Sequence, residues 1–170
     1  LQQFFSPHSN RRQDSWGGSR EKRTRFPIEV LTKVQHVVAE KEASHFIIGY
    51  RFSPEEIEEP GIRFEDTMFL LNTLAEYEPD YFHISANSYQ RTSIVNQEDT
   101  EPLINKYIKM QSAQLAKIPL IGVGSIAQRQ DAEHALELGY DLLSVGKAYL
   151  VEPQWTDKIS QNEEVEQFVD

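Results

Sequence analysis

The sequence predicts a parallel α/β fold, either a small doubly wound sheet or a segment of a (β/α)8 barrel, and two observations carry that prediction. Four short apolar runs recur along the 170 residues, each preceded and followed by a segment whose apolar positions keep helical spacing. The runs are apolar throughout rather than alternating, as expected of strands covered on both faces. Strands alternating with crossover helices imply right-handed βαβ units and hence a parallel sheet. Four parallel strands cannot close a barrel, and a whole (β/α)8 barrel takes about 250 residues. Under the barrel alternative the chain therefore supplies about half of one.

The elements follow in order. Residues 6–26 are rich in Ser, Asn, Arg and Gly, and Trp16-Gly17-Gly18-Ser19 reads as a turn, so this stretch is expected to be a structured loop. Pro27 suits a first helical position, and Val30, Leu31, Val34, Val37 and Val38 keep helical spacing to about residue 41. Phe46-Ile47-Ile48-Gly49-Tyr50 reads as the first strand, ended by Arg51-Phe52-Ser53-Pro54. Phe64, Met68, Leu71, Leu74 and Tyr77 mark a helix, Tyr81-Phe82-His83-Ile84-Ser85 a strand, and residues 103–115 another helix. Pro119-Leu120-Ile121-Gly122-Val123 is the third strand, and the helix from about Gln128 stops at Gly139. Asp141-Leu142-Leu143-Ser144-Val145 is the fourth. Residues 160–170 are acidic and read as a poorly ordered or surface-packed tail.

Composition narrows the function classes. A formal charge of −10, from 27 acidic against 17 basic residues, argues against a general binder of nucleic acid or anionic membranes but leaves room for a local anion pocket. The absence of cysteine removes thiol chemistry, iron–sulfur ligation and disulfides from this chain. No apolar run approaches the roughly 18 residues of a membrane span, so a cytoplasmic protein is expected. His8, His36, His45, His83 and His134 are scattered without metal-ligand spacing, so no metal site is expected. Leu1 is not an initiator methionine and no signal-peptide layout follows, which makes an excised part of a longer chain the expected origin.

In parallel α/β folds ligands meet the carboxyl ends of strands. Arg51 with Ser53, the segment Ser85-Ala86-Asn87, the turn from Gly122 to Ile126, and Gly146-Lys147 occupy those places. Gly122-Val123-Gly124-Ser125 lies between a strand and a helix, where glycines let backbone N–H groups approach an anion, although glycine also simply makes tight turns. Gly146-Lys147 adds a second glycine turn and a cation, and the loops after strands seven and eight of a barrel form a recurring phosphate site. Arg51 either projects toward an anionic ligand or pairs with Glu55 or Glu56. Arg11, Arg12 and Asp14 read as a charged loop held by ion pairs rather than a catalytic cluster, and Trp16 and Trp155 as packing residues.

The stretch Phe4-Phe5-Ser6-Pro7-His8-Ser9-Asn10-Arg11-Arg12, followed by Asp14-Ser15-Trp16-Gly17-Gly18-Ser19, Arg23 and Arg25-Phe26-Pro27, closely resembles the segment after the fourth strand in Old Yellow Enzyme-like NADH-dependent flavin oxidoreductases. Ile48-Gly49-Tyr50-Arg51-Phe52-Ser53-Pro54 looks like the fifth strand of that family, Gly122-Val123-Gly124-Ser125-Ile126 like the turn after strand seven, and Gly146-Lys147-Ala148 like the turn after strand eight. The resemblance covers residues 1–159 and implies the C-terminal half of a (β/α)8 barrel. On that reading residues 1–26 are the loop after barrel strand 4, residues 27–159 the half barrel from helix 4 to helix 8, and residues 160–170 the acidic tail.

The resemblance further implies FMN as cofactor and NAD(P)H as reductant, with hydride passing through the flavin to an activated C=C bond of a small-molecule substrate. It places Arg51 at the pyrimidine side of the flavin, and Gly122, Val123, Gly124, Ser125, Gly146 and Lys147 at the cofactor. Family members commonly carry arginine where Lys147 stands, so the bidentate fork is lost while the charge is kept. The residues that orient the substrate and donate a proton in the family lie before the position of Leu1, so no catalytic residue is expected here and the segment alone is expected to be inactive. Without the N-terminal half of the barrel, exposed strand edges and an apolar inner face would favour self-association, into a homodimer or larger. Two other classes stay in view: a non-redox phosphate-binding barrel enzyme, an isomerase or synthase, and a non-catalytic assembly module.

Overall fold

The computed structural model describes residues 1–166. A short helix α1 (Gln2–Phe5) and a loop lead into the long helix α2 (Arg20–Glu40), then β1 (Gly49–Phe52), α3 (Phe64–Ala75) and β2 (Tyr81–Ile84). Helix α4 (Leu103–Met110), a 3₁₀ turn (Leu115–Lys117), β3 (Leu120–Val123), α5 (Arg129–Leu138) and β4 (Leu142–Ser144) follow, with α6 (Lys147–Val151) and α7 (Trp155–Ser160) after them. The last four residues of the acidic tail, 167–170, lie outside the described residues.

The strands form one sheet in the order β1-β2-β3-β4, all pairs parallel. A doubly wound sheet reverses its strand order partway, whereas here every crossover steps in the same direction, which is the winding of a barrel arc. Register fixes the faces. Tyr50 pairs with Phe82 and Phe82 with Leu120, and all three are buried under the helices. Arg51 pairs with His83, His83 with Ile121 and Ile121 with Leu142, so this row occupies the opposite, inner face, where Leu142 is 53% exposed.

The helix-side core is made by α3, whose Leu71, Leu74 and Ala75 are fully buried, together with Phe82, Leu115 and Ala135. Aspartates at two equivalent places pin the strand starts. Asp80, just before β2, accepts the N–H of Ile48 at 2.6 Å, and Asp141, just before β4, accepts the N–H of Leu120 at 2.8 Å. Each carboxylate thereby ties a strand to its neighbour at the end opposite the carboxyl rim.

Three elements differ from the sequence reading. Helix α2 starts at Arg20 rather than Pro27, because Ser19 caps it by accepting the N–H of Lys22, and Pro27 sits inside. A proline there forfeits the bond to the carbonyl four residues back, yet the helix continues past it on packing. Strand β1 begins three residues into the run Phe46-Ile47-Ile48-Gly49-Tyr50 and ends two residues beyond it, and Phe46 and Ile47 are 60% and 69% exposed. Helix α4 ends at Met110, where Asn72 takes the N–H of Ser112 at 2.7 Å and the chain turns into the 3₁₀ segment.

The loop before α2 is held by side-chain bonds to its own backbone. Asn10 donates to the carbonyls of Phe4 and Trp16 at 2.6 and 2.7 Å, and Arg23 donates to the carbonyl of Phe5 at 2.7 Å. Asp14 pairs with Arg12 and accepts the N–H of Trp16 at 3.0 Å, which makes this cluster a loop clasp. Trp16 packs on Phe26 and under Arg25.

Candidate functional site

At the carboxyl ends of β3 and β4 the chain encloses a cavity of about 470 Å³ lined by Asn87, Gly124, Ser125, Ser144, Gly146 and Lys147, among others. The turn after β3 has two consecutive residues in the left-handed region, Gly124 at φ 95° and Ser125 at φ 53°. A non-glycine residue held there is costly and is kept only where neighbours over-determine it. Those neighbours are in the loop after β2: Ser125 Oγ donates to the carbonyl of Asn87 at 3.0 Å, and the N–H of Tyr89 donates to the carbonyl of Gly124 at 3.0 Å. Tyr140 Oη in turn donates to the carbonyl of Tyr89 at 3.0 Å, with burial pushing that phenol up to about 12.

Behind the turn, Asp131 accepts the N–H groups of Ala127 and Gln128, both at 2.9 Å, so the entry to α5 caps itself. The backbone that faces the cavity is therefore that of the glycine turns. Gly146 presents an open side: a Cβ there would meet nothing within 4 Å. Lys147 brings a cation to the same wall, and Glu166 reaches the lining from the chain's far end. Val165 packs against the core, which places this part of the acidic tail on the surface of the fold.

The predicted residues divide. Val123, Gly124, Ser125, Gly146 and Lys147 line one cavity. Gly122 does not line it: it is buried on the helix side, where a Cβ would lie 2.6 Å from the Tyr140 ring, so its glycine answers a packing demand. Arg51 is exposed on the inner face of β1, two strands from β3 and level with Ile121, outside the cavity lining. At about 4.8 Å between strands that is about 10 Å across the sheet, plus one side-chain layer below the turn. A phosphate joined to a planar ring by a short polyol spans such a separation, so the residues present fit the phosphate end and one ring edge of FMN.

Arg51 does not pair with the carboxylates offered by the sequence. Glu55 accepts from Ser93 Oγ and the N–H of Ile94, both at 2.9 Å, and Glu56 accepts from Gln2, Ser6 and the N–H of Ile62. Beside Arg51, His83 has its pKa lowered below 6.5, by burial first and the guanidinium second. The unfolded chain then binds a proton that the folded chain refuses, so this histidine's contribution to stability is lost as pH falls through about 6.5 and levels off below the folded pKa. The expected result is that wild type loses melting temperature faster than His83→Gln between about pH 7.5 and pH 5.5. Parallel melting curves for the two proteins over that range refute it.

Asn87 was not singled out for the site by its residue type. Its part is played by the main chain, through the bond from Ser125, and only its place after a strand pointed to it.

Sheet winding defines a (β/α)8-barrel segment, with a cavity lined by two glycine turns and a lysine at its carboxyl edge. The sequence profile of the NADH:flavin oxidoreductase / NADH oxidase family matches residues 1–166, and the chain belongs to that family. Over 170 residues it is 62% identical to an NADH:acrylate oxidoreductase of Vibrio harveyi, covering 100% of this chain and 17% of that protein. It is 52% identical to an NADH:fumarate oxidoreductase of Klebsiella pneumoniae over 171 residues, 100% of this chain and 18% of that one. Among solved structures it superposes on morphinone reductase with a TM-score of 0.69 at 21% identity, over 97% of this chain and 41% of that chain, a likeness of fold. The four strands are the C-terminal half of a (β/α)8 barrel.

Proposed function

We propose that this chain holds the FMN of an NADH-dependent flavin oxidoreductase, with the phosphate in the cavity between β3 and β4 and the pyrimidine edge of the ring toward Arg51. The observation that supports it most is the convergence of both glycine turns and Lys147 on one cavity of about 470 Å³. When bound, FMN supplies the two-electron carrier between NAD(P)H and an activated C=C bond. The acceptor class draws support from two relatives named for acrylate and fumarate, both electron-poor alkenes.

The chain's own residues bind and orient. The turn amides and Lys147 offset the phosphate charge, Gly146 leaves it room, and Arg51 sets a permanent cation where a reduced ring gathers negative charge. Residues 27–159 act as the half barrel, residues 1–26 lie between barrel strand 4 and it, and residues 160–170 make up the acidic tail. Substrate-orienting groups lie on other parts of the full-length protein, so the 170-residue segment alone is inactive, and its open inner face, with Leu142 53% exposed, favours self-association.

The full-length protein is expected to purify yellow, to bleach with NADH under anaerobic conditions and to regain colour with acrylate or fumarate. A colourless protein that cannot be loaded with FMN sinks the reading. Bleaching by NADH without any recovery on adding activated alkenes sinks the acceptor class alone. The isolated segment mixed with FMN is expected to show no NADH:alkene turnover.

A further inference from the structure

We propose that His83 is the positioning residue for Arg51: a neutral imidazole whose Nε2, unpartnered in this structure, receives an N–H of the guanidinium once the flavin is bound and holds it at the inner face of the barrel. The inference rests on the FMN reading and deepens it. Arg51 and His83 are register partners on adjacent parallel strands, so their Cα atoms are about 4.8 Å apart and their side chains leave the same face. Nε2 of His83 is buried and has no hydrogen-bond partner among the described residues. A buried polar atom left so calls for an explanation.

The neighbours of His83 leave few candidates. On β3 its partner is Ile121, which offers no side-chain donor, and on its own strand the phenol ring of Tyr81 lies over Gly49. Arg51 on β1 is the cation in the row, and Glu55 and Glu56 are engaged elsewhere. Burial and the guanidinium both keep His83 neutral, so one ring nitrogen is an acceptor. An imidazole partner also has a property that a carboxylate lacks. It fixes the direction of a guanidinium without cancelling its charge, which a residue meant to stabilise negative charge on a cofactor requires.

The test is the midpoint potential of FMN in the full-length holoprotein carrying His83→Gln, His83→Asn and Arg51→Lys, singly and with Asn and Lys combined. A glutamine amide oxygen reaches the position of Nε2, and an asparagine oxygen reaches only that of Nδ1. The Gln variant is expected to stay within about three-fold of wild type in its preference for reduced over oxidised FMN, and the Asn variant to lose about ten-fold, which is about 30 mV. With Arg51→Lys in place, Asn is expected to add nothing further. Equal midpoints for wild type, Gln and Asn, alongside a shift for Arg51→Lys, overturn the proposal while leaving the Arg51 assignment standing. A midpoint unmoved by Arg51→Lys overturns both. A purely structural histidine would change the melting temperature in both variants and the midpoint in neither.

Discussion

Replacing Gly124 with alanine is expected to lower the unfolding free energy by about 3 kcal/mol, combining a left-handed backbone forced on a residue with a Cβ and overpacking against main chain. Gly124 sits at φ 95°, and a Cβ there would lie 2.5 Å from the carbonyl carbon of Asn87 and 2.6 Å from Ser88 N. Backbone atoms have no rotamer to move to. Relief requires the loop after β2 to retreat, which breaks the bonds Tyr89 N–H to Gly124 and Ser125 Oγ to Asn87, both 3.0 Å. Those bonds shape the cavity wall, so bound flavin should fall together with stability. Urea unfolding and the flavin content of purified protein measure the two effects. An alanine variant that unfolds at the parent's midpoint would show that the two loops are not locked together as the structure has them.

The fold was legible where chain chemistry decides it locally. Strands β2 and β3 fall within a residue of their apolar runs, and α5 ends at Gly139, whose φ of 112° only glycine adopts easily. Strand β1 begins later than its apolar run because hydrophobicity there does not mean burial. It is an edge strand paired only with β2, and Phe46 and Ile47 beside it stay largely exposed. The sequence places the start of α2 too late because Ser19 looks like part of a glycine turn, whereas its side chain caps the helix. Periodicity could not choose between barrel arc and doubly wound sheet, since both give the same alternation. Strand order chose, and it is a long-range property. At the site, glycine and lysine announced the two turns, but the same letter covered two roles: Gly124 faces the cavity, whereas Gly122 makes room for Tyr140. Which side of the sheet a glycine serves depends on register, and register was not available from spacing alone.

Gly146 is expected to give the reverse of Gly124. Its φ of −118° lies outside the left-handed region that favours glycine, and a Cβ would meet no atom within 4 Å, so the side chain of valine can start there without a clash. The change in unfolding free energy should stay within about 0.5 kcal/mol. Yet Gly146 lines the cavity, and the added side chain would stand in the space assigned to the phosphate. FMN affinity should therefore fall about 100-fold, close to 3 kcal/mol of binding. The two glycines face one cavity, and the pair separates what a single variant confounds. Loss of flavin at Gly124 follows from a disturbed wall, whereas loss at Gly146 with an unaltered melting curve follows only from an occupied site. Full flavin content in Gly146→Val protein would move the phosphate out of this cavity, whatever Gly124 shows. Equal destabilisation at both positions would instead make Gly146 a structural glycine and leave Lys147 as the remaining argument for an anion at this rim.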